Sequence, residues 1–304
     1  MENYKKLIGS ITIITFSYAA SRLLGFFREI LLANWAGVSE ATDTLDLAFI
    51  IPDFLFYLSA GGYLAITLIP IMSEKKKSEL NNYFLSILYG MSLIFVIFSL
   101  ITYSFRFQFA ELLGVTSLDF FVEVFTPIIF SQVFFFVGAI LMSYQYFHDN
   151  FKYAAIAPVV YNSTIIFFGW INSSTPEGTI KGFAIGTLIG SVLGHFLIQI
   201  YGAKRSGLSF YLISPKFVHI KNYITISLPL ILGQSIAVID EQLFRIFGSF
   251  LAAGSIATFR YARRIALLPV GIVAQAVGVA SYPLLSRLFQ KNEIEELVQL
   301  IKKQ

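Results

Sequence analysis

The chain has 304 residues, 56% of them hydrophobic and only 13% charged, with a mean hydropathy of +0.73. Soluble domains carry roughly 25% charged residues, so this composition excludes a water-exposed globular surface over such a length. The net charge of +4 does not point to nucleic acid, because the Lys and Arg residues outside the apolar runs fall in short connecting segments. The absence of cysteine removes disulfides, thiolate metal sites and cysteine nucleophiles. His148, His195 and His219 show no ligand spacing, so neither a metal nor a cofactor is expected.

A helix needs about 20 apolar residues to cross a bilayer, and eight such stretches follow one another. They are expected at about Ile8–Ala33, Asp43–Met72, Tyr83–Tyr103, Leu118–Tyr146, Tyr153–Ile171, Thr179–Tyr201, Tyr223–Phe250 and Ser255–Leu285. The fold class is therefore an all-α membrane protein of about eight transmembrane helices. Lys5 and Lys6 before an apolar run also suit a signal peptide, but the apolar pattern continues past Ser21 and favours a first span. Several stretches exceed 25 residues, which predicts tilt or kinks, and Pro52, Pro127, Pro158, Pro229 and Pro269 are the kink candidates.

Orientation follows from the basic residues. With the N-terminus cytoplasmic, fourteen Lys and Arg fall in inside segments and two, Arg106 and Lys181, fall outside. That bias predicts a multi-pass protein of the bacterial inner membrane with both termini in the cytoplasm. The segment after Lys291 places Leu297, Leu300 and Ile301 on one helical face and reads as an amphipathic cytoplasmic connector.

A weak internal repeat accompanies this pattern. Ala41-Thr42, Pro52 and Pro70-Ile-Met-Ser in the second span correspond to Ala257-Thr258, Pro269 and Pro283-Leu-Leu-Ser in the eighth. The expected organisation is a six-helix lobe (1–203), a basic linker (204–222), the first hairpin of a second, repeat-related lobe (223–288) and the connector (289–304). Repeats of this kind build many transporters.

Charged groups at membrane depth are functional candidates by default. Arg22 and Arg28 lie in the first span; Arg260, Arg263 and Arg264 share one face of the eighth. Like charges so close require water, counter-charges or an anionic ligand. The plainer readings are an Arg28–Asp43 ion pair across the first hairpin and a headgroup position for Arg260. Arg245 has Glu241 four residues earlier, a favourable helical pair. Asp46 and Asp53 share a face of the second span and suit either salt bridges or a coupling cation, pairing being favoured. Guanidinium binds phosphate oxygens with a two-pronged fork and keeps its proton. An anionic lipid-linked substrate in a bilayer is therefore the expected partner.

The stretch Ser21-Arg22-Leu23-Leu24-Gly25-Phe26-Phe27-Arg28-Glu29, then Ala41-Thr42-Asp43 and Ala48-Phe49-Ile50-Ile51-Pro52, resembles the opening hairpin of the MurJ (MviN) family. Tyr261-Ala262-Arg263-Arg264, Leu268-Pro269 and Tyr282-Pro283-Leu284-Leu285-Ser286 resemble its eighth helix. The resemblance implies a flippase of the multidrug/oligosaccharidyl-lipid/polysaccharide exporter superfamily. Such a protein moves lipid II, the undecaprenyl-diphosphate-linked peptidoglycan precursor, by alternating access between two lobes, with no catalytic site. It implies that Arg22, Arg28 and Arg264 belong to a central cationic cavity and that Asp43 matches the acidic residue opening the second helix.

Three departures stand out. Phe54-Leu55-Phe56-Tyr57 has no counterpart of the family's second-helix arginine, the acidic residue near Gly61-Gly62 is replaced, and Asp46 and Asp53 add negative charge. The family also has about fourteen helices, so further second-lobe helices are expected in cis or in trans. Alternative readings are an exporter of another polysaccharide-lipid or a cation-coupled drug exporter of the same superfamily, and a non-transporting membrane scaffold. A membrane glycosyltransferase is disfavoured, because the longest inside loop, Gly202 to Asn222, lacks a carboxylate.

Overall fold

The computed structural model describes residues 20–59 and 63–267. The start of the first expected span, Gly61-Gly62, and everything from Leu268 on, including Pro269 and the 291–304 connector, lie outside the described residues. Every regular element among the described residues is a helix. In chain order they are α1 (residues 20–35), α2 (Glu40–Ala48), α3 (Ile50–Ser59), α4 (Tyr63–Ser73), α5 (Lys77–Ser104), α6 (Arg106–Leu112), α7 (Leu118–Phe147), α8 (Lys152–Ile171), α9 (Pro176–Arg205), α10 (Phe217–Gly248) and α11 (residues 255–267). Residues up to Ala257 form one compact unit and Thr258 begins a second.

Among the described residues four helices, α5, α7, α8 and α9, are long and apolar enough to cross a membrane by length and composition. Large apolar side chains along α5, among them Leu93, Ile97, Phe98 and Ile101, remain exposed. In a bilayer that face meets lipid, at no cost. The expected second span is not one helix. It breaks at Phe49, three residues before Pro52, and continues as α3 and α4. A proline in the first turn of α3 needs no N–H bond there but cannot extend the preceding helix. Pro70, Pro127, Pro158 and Pro229 are carried inside helices.

Helix α7 is the central post. Its first half buries Phe121, Val124, Phe125, Ile128 and Ile129 against residues of α1, α2, α3 and α9, including Leu32, Leu45 and Phe183. Its second half buries Phe136, Ile140, Leu141 and Tyr144 against α4 and α5, including Met72, Phe84 and Leu88. The basic linker is shorter than expected, because α10 begins at Phe217. The extended segment before it lies on the start of α5, where Asn81 exchanges two hydrogen bonds with the Ser209 backbone and Ser86 Oγ accepts from Lys216 N at 2.7 Å.

The tightest helix pair is α8 with α9. Gly178, Gly182, Gly186, Gly190 and Gly194 recur every fourth residue along α9 and place its backbone directly on α8. A Cβ added at Gly186 would sit 2.7 Å from Ile165 Cα and 3.1 Å from the Thr164 carbonyl oxygen. Without a side chain the two backbones approach closely, the usual basis of helix association in lipid. The turn Ser191–Leu197 of α9 is a π-helix, one residue wider per turn than the rest.

Candidate functional site

Arg28 projects from α1 toward α8. Its Nη1 donates to Asn162 Oδ1 at 3.1 Å and its Nη2 donates to Glu29 Oε1 at 2.9 Å. Asn162 Nδ2 donates to the Pro158 carbonyl oxygen at 2.8 Å. That bond fixes the amide so that its oxygen, not its nitrogen, meets the guanidinium. Glu29 is buried, whereas the Arg28 side chain keeps 22% of its surface open.

A second guanidinium enters from α10. Arg245 Nη1 donates to Asp53 Oδ2 of α3 at 2.7 Å, and Nη2 donates to Glu241 Oε1 at 2.8 Å. Two carboxylates from different helices thus share one planar fork, the geometry for which arginine is suited. Arg245 itself is buried and Glu241 is half-exposed. Asp46 adds its negative charge to the field on Arg245, and Arg28 acts on Asp53, so the two centres form one electrostatic neighbourhood. Tyr161 of α8 lies within the field of both Arg28 and Asp53. Arg28 with Glu29 and Asn162 thus ties α1 to α8, and Arg245 with Glu241 and Asp53 ties α10 to α3.

Asp43, the candidate opening the second span, lies on α2 against the turn that precedes α11. Its Oδ2 accepts from Gly254 N at 2.6 Å and its Oδ1 accepts from Ala257 N at 2.7 Å. Both oxygens face the N-terminal turn of α11, where unpaired N–H groups and the helix dipole favour an anion. The physical reason is the turn 249–254, which brings those donors against α2. Gly254 adopts a φ of +85°, and its Cα packs against Val38 of the α1–α2 turn. The α1–α2 turn itself bends at Gly37, with a φ of +63°, and Ser39 caps α2 by accepting from Thr42 N.

Of the remaining arginines, Arg22 is exposed on α1. In the second unit Arg260, Arg263 and Arg264 follow one another on α11; Arg260 stacks its guanidinium over the Tyr261 ring at 4.8 Å and Arg264 is exposed. The i,i+4 pairing of Arg245 with Glu241 is as read from the spacing, and Asp53 forms a salt bridge to the same Arg245. Asn162 and the link across to Asp53 were missed. The only sequence signal for Asn162 was a lone amide inside an apolar run four residues after a proline.

Comparison with known proteins fits this architecture. The family described as Lipid II flippase MurJ matches residues 32–304. A probable lipid II flippase MurJ from Buchnera aphidicola subsp. Baizongia pistaciae is 29% identical over 98% of this chain and 60% of its own length. The Lipid II flippase MurJ of Thermosipho africanus is 32% identical over 61% of this chain and 40% of its own length. A solved structure of Lipid II flippase MurJ in an inward closed conformation superposes with a TM-score of 0.77 at 26% identity, covering 93% of this chain and 59% of that one. The chain thus spans about 40–60% of the length of these relatives. With an all-helical apolar framework among the described residues, ion-paired arginines and a family match over most of its length, the chain belongs to the lipid II flippase MurJ family of membrane proteins.

Proposed function

We propose that this chain forms the substrate-handling part of a flippase that moves an undecaprenyl-diphosphate-linked peptidoglycan precursor across the inner membrane by alternating access. The observation that carries this reading is the partly open Arg28, held by Glu29 and Asn162 beside the Arg245–Asp53 pair. A diphosphate crossing a bilayer needs its charge offset at mid-depth. Guanidinium groups resting on carboxylates are already neutralised and desolvated, so an incoming phosphate exchanges with a carboxylate and no bare charge is created. Arg22, Arg260, Arg263 and Arg264 extend this role as further phosphate contacts. Asp43 serves as the residue that ties α2 to the start of α11 in one state and frees it in the other. Both termini lie in the cytoplasm, and the rest of the second lobe is supplied in cis or in trans.

The excess of carboxylates around Arg245 favours a second reading, export of a less acidic polysaccharide-lipid. The test is rescue of growth after depletion of the native flippase. Arg28→Ala and Arg264→Ala are expected to abolish rescue at unchanged membrane abundance, with lipid-linked precursor accumulating inside. Full rescue by both variants overturns the site. Rescue of a capsule or other polysaccharide defect, without rescue of peptidoglycan synthesis, selects the second reading.

A further inference from the structure

A second surface lies away from the arginines, where the segment after α9 meets α5 and the start of α10. From Gly202 to Asn222 the chain carries Lys204, Arg205, Lys216 and Lys221 and no carboxylate. The same segment turns apolar side chains outward: Leu212, Phe217 and Val218 are 97%, 75% and 73% exposed. Cationic and apolar groups exposed together suit the headgroup layer of a bilayer. Beside them an apolar groove of about 560 Å3 runs between α5 and α10, lined by Gly90, Leu93 and Ile94 on one side and Ile220 and Ile224 on the other. A Cβ at Gly90 would run into Ile220, so the glycine is what lets α10 approach α5 here. One charged residue, Lys221, also lines the groove. It is exposed and forms no ion pair among the described residues. The single carboxylate of α5, Glu79, lies about three turns before Gly90 and does not offset it.

We infer that the α5–α10 groove holds an anionic phospholipid of the membrane itself, with an acyl chain between the two helices and the phosphate at Lys221. With both termini in the cytoplasm, as proposed above, this lipid belongs to the cytoplasmic leaflet. The apolar walls fit an acyl chain of any phospholipid. The headgroup is set by charge complementarity. A zwitterionic headgroup brings its own cation against Lys221, whereas an anionic one brings none. Each lysine beside a membrane favours an anionic lipid by about fivefold, and Lys216, the residue capping α10, adds to the same field. Bound there, the lipid fastens the first turns of α10 to α5. This site is separate from Arg28 and Arg245 and does not depend on which molecule is transported.

The test is photolabelling of the detergent-solubilised chain with phosphatidylglycerol that carries a diazirine on one acyl chain, with adducts mapped by mass spectrometry. Unlabelled phosphatidylglycerol, phosphatidylcholine and glycerol phosphate serve as competitors. Adducts are expected within residues 90–94 and 220–225. Phosphatidylglycerol should compete at a concentration at least about fivefold lower than phosphatidylcholine, and glycerol phosphate should not compete. Lys221→Gln is expected to erase that preference, whereas Lys152→Gln, at the start of α8, keeps it. Thr225→Phe and Leu93→Phe place a ring in the groove from exposed positions and should each cut labelling severalfold without loss of the fold. Adducts elsewhere, equal competition by phosphatidylcholine, a preference that survives Lys221→Gln, or normal labelling of both filling variants overturns the inference. Competition by glycerol phosphate makes this a free-anion site and also overturns it. None of these readings requires transport, so growth rescue tests the proposed function separately.

Discussion

Replacing Asp43 by Asn keeps the shape of the side chain and removes one acceptor and the charge. The carboxylate accepts two backbone hydrogen bonds, from Gly254 N and Ala257 N, both buried. A hydrogen bond to a charged group contributes about 1.5–3 kcal/mol. The amide of Asn accepts one of the two and turns its own N–H groups on the other donor. One charge-assisted bond is lost and one buried N–H is left facing a donor. Loss of the anion at the helix terminus adds roughly 0.3–1 kcal/mol. The sum is about 3 kcal/mol, which at roughly 2 °C per kcal/mol for a large domain lowers the melting temperature by about 6 °C. The assay is intrinsic-fluorescence melting of the detergent-solubilised chain. Asp149→Asn is the control, an exposed loop position with a φ of +56° that Asn accepts readily. A melting temperature for Asp43→Asn equal to that of the control refutes the capping role.

Four further outcomes follow from other contacts. Asp53→Asn and Arg245→Met should each destabilise by about 3–5 kcal/mol by stranding a charge, while the double variant recovers much of the loss; additive effects in a double-mutant cycle would dissolve the pair. Glu241→Gln should change stability by less than about 1 kcal/mol, since that partner is half-exposed on the same helix. Gly186→Ala should cost about 1–3 kcal/mol through overpacking against Ile165, whereas Gly25→Ala, with nothing within 4 Å of its added methyl, should be neutral or stabilising; equal melting of the two variants would refute the zipper. His219, in the basic segment before the expected seventh span, has its pKa lowered by burial and by Lys216 and Lys75. The unfolded chain therefore takes up this proton first as pH falls, so the His219 contribution is complete above about pH 6.5 and is lost as pH drops toward the folded value. His219→Gln should flatten the melting temperature between pH 7.5 and 5.5, and an unchanged slope would show that the histidine does not titrate with folding.

The apolar runs that became α5, α7 and α8 were legible because lipid imposes a length on any crossing helix, and their ends moved by six residues or fewer. The break in the second span was not legible. Hydropathy measures transfer into lipid and does not register that Phe49 breaks the helix just before Pro52. The Glu241–Arg245 pair could be read because it is local, but Asp53 reaches Arg245 from a different helix 192 residues away in sequence. No periodicity encodes such a partner. The glycines at every fourth position from Gly178 to Gly194 were not read from the sequence as a contact, and only the fold identifies α8 as what they touch. Arg28 was singled out by its depth and by the family resemblance. Asn162, which holds it, carries no charge and so gave no such warning.

The glycine seam also has a mechanical meaning. Backbones seated on one another cannot slide without lifting side chains over the opposing ridge, so α8 and α9 move as a single stiff spar. Bending is left to parts joined by a break or by separable contacts: the joint at Phe49 between α2 and α3, and α1, which the Arg28–Asn162 hydrogen bond clasps to the spar. A hinge placed there would swing Arg28 and Asp53 relative to a fixed keel.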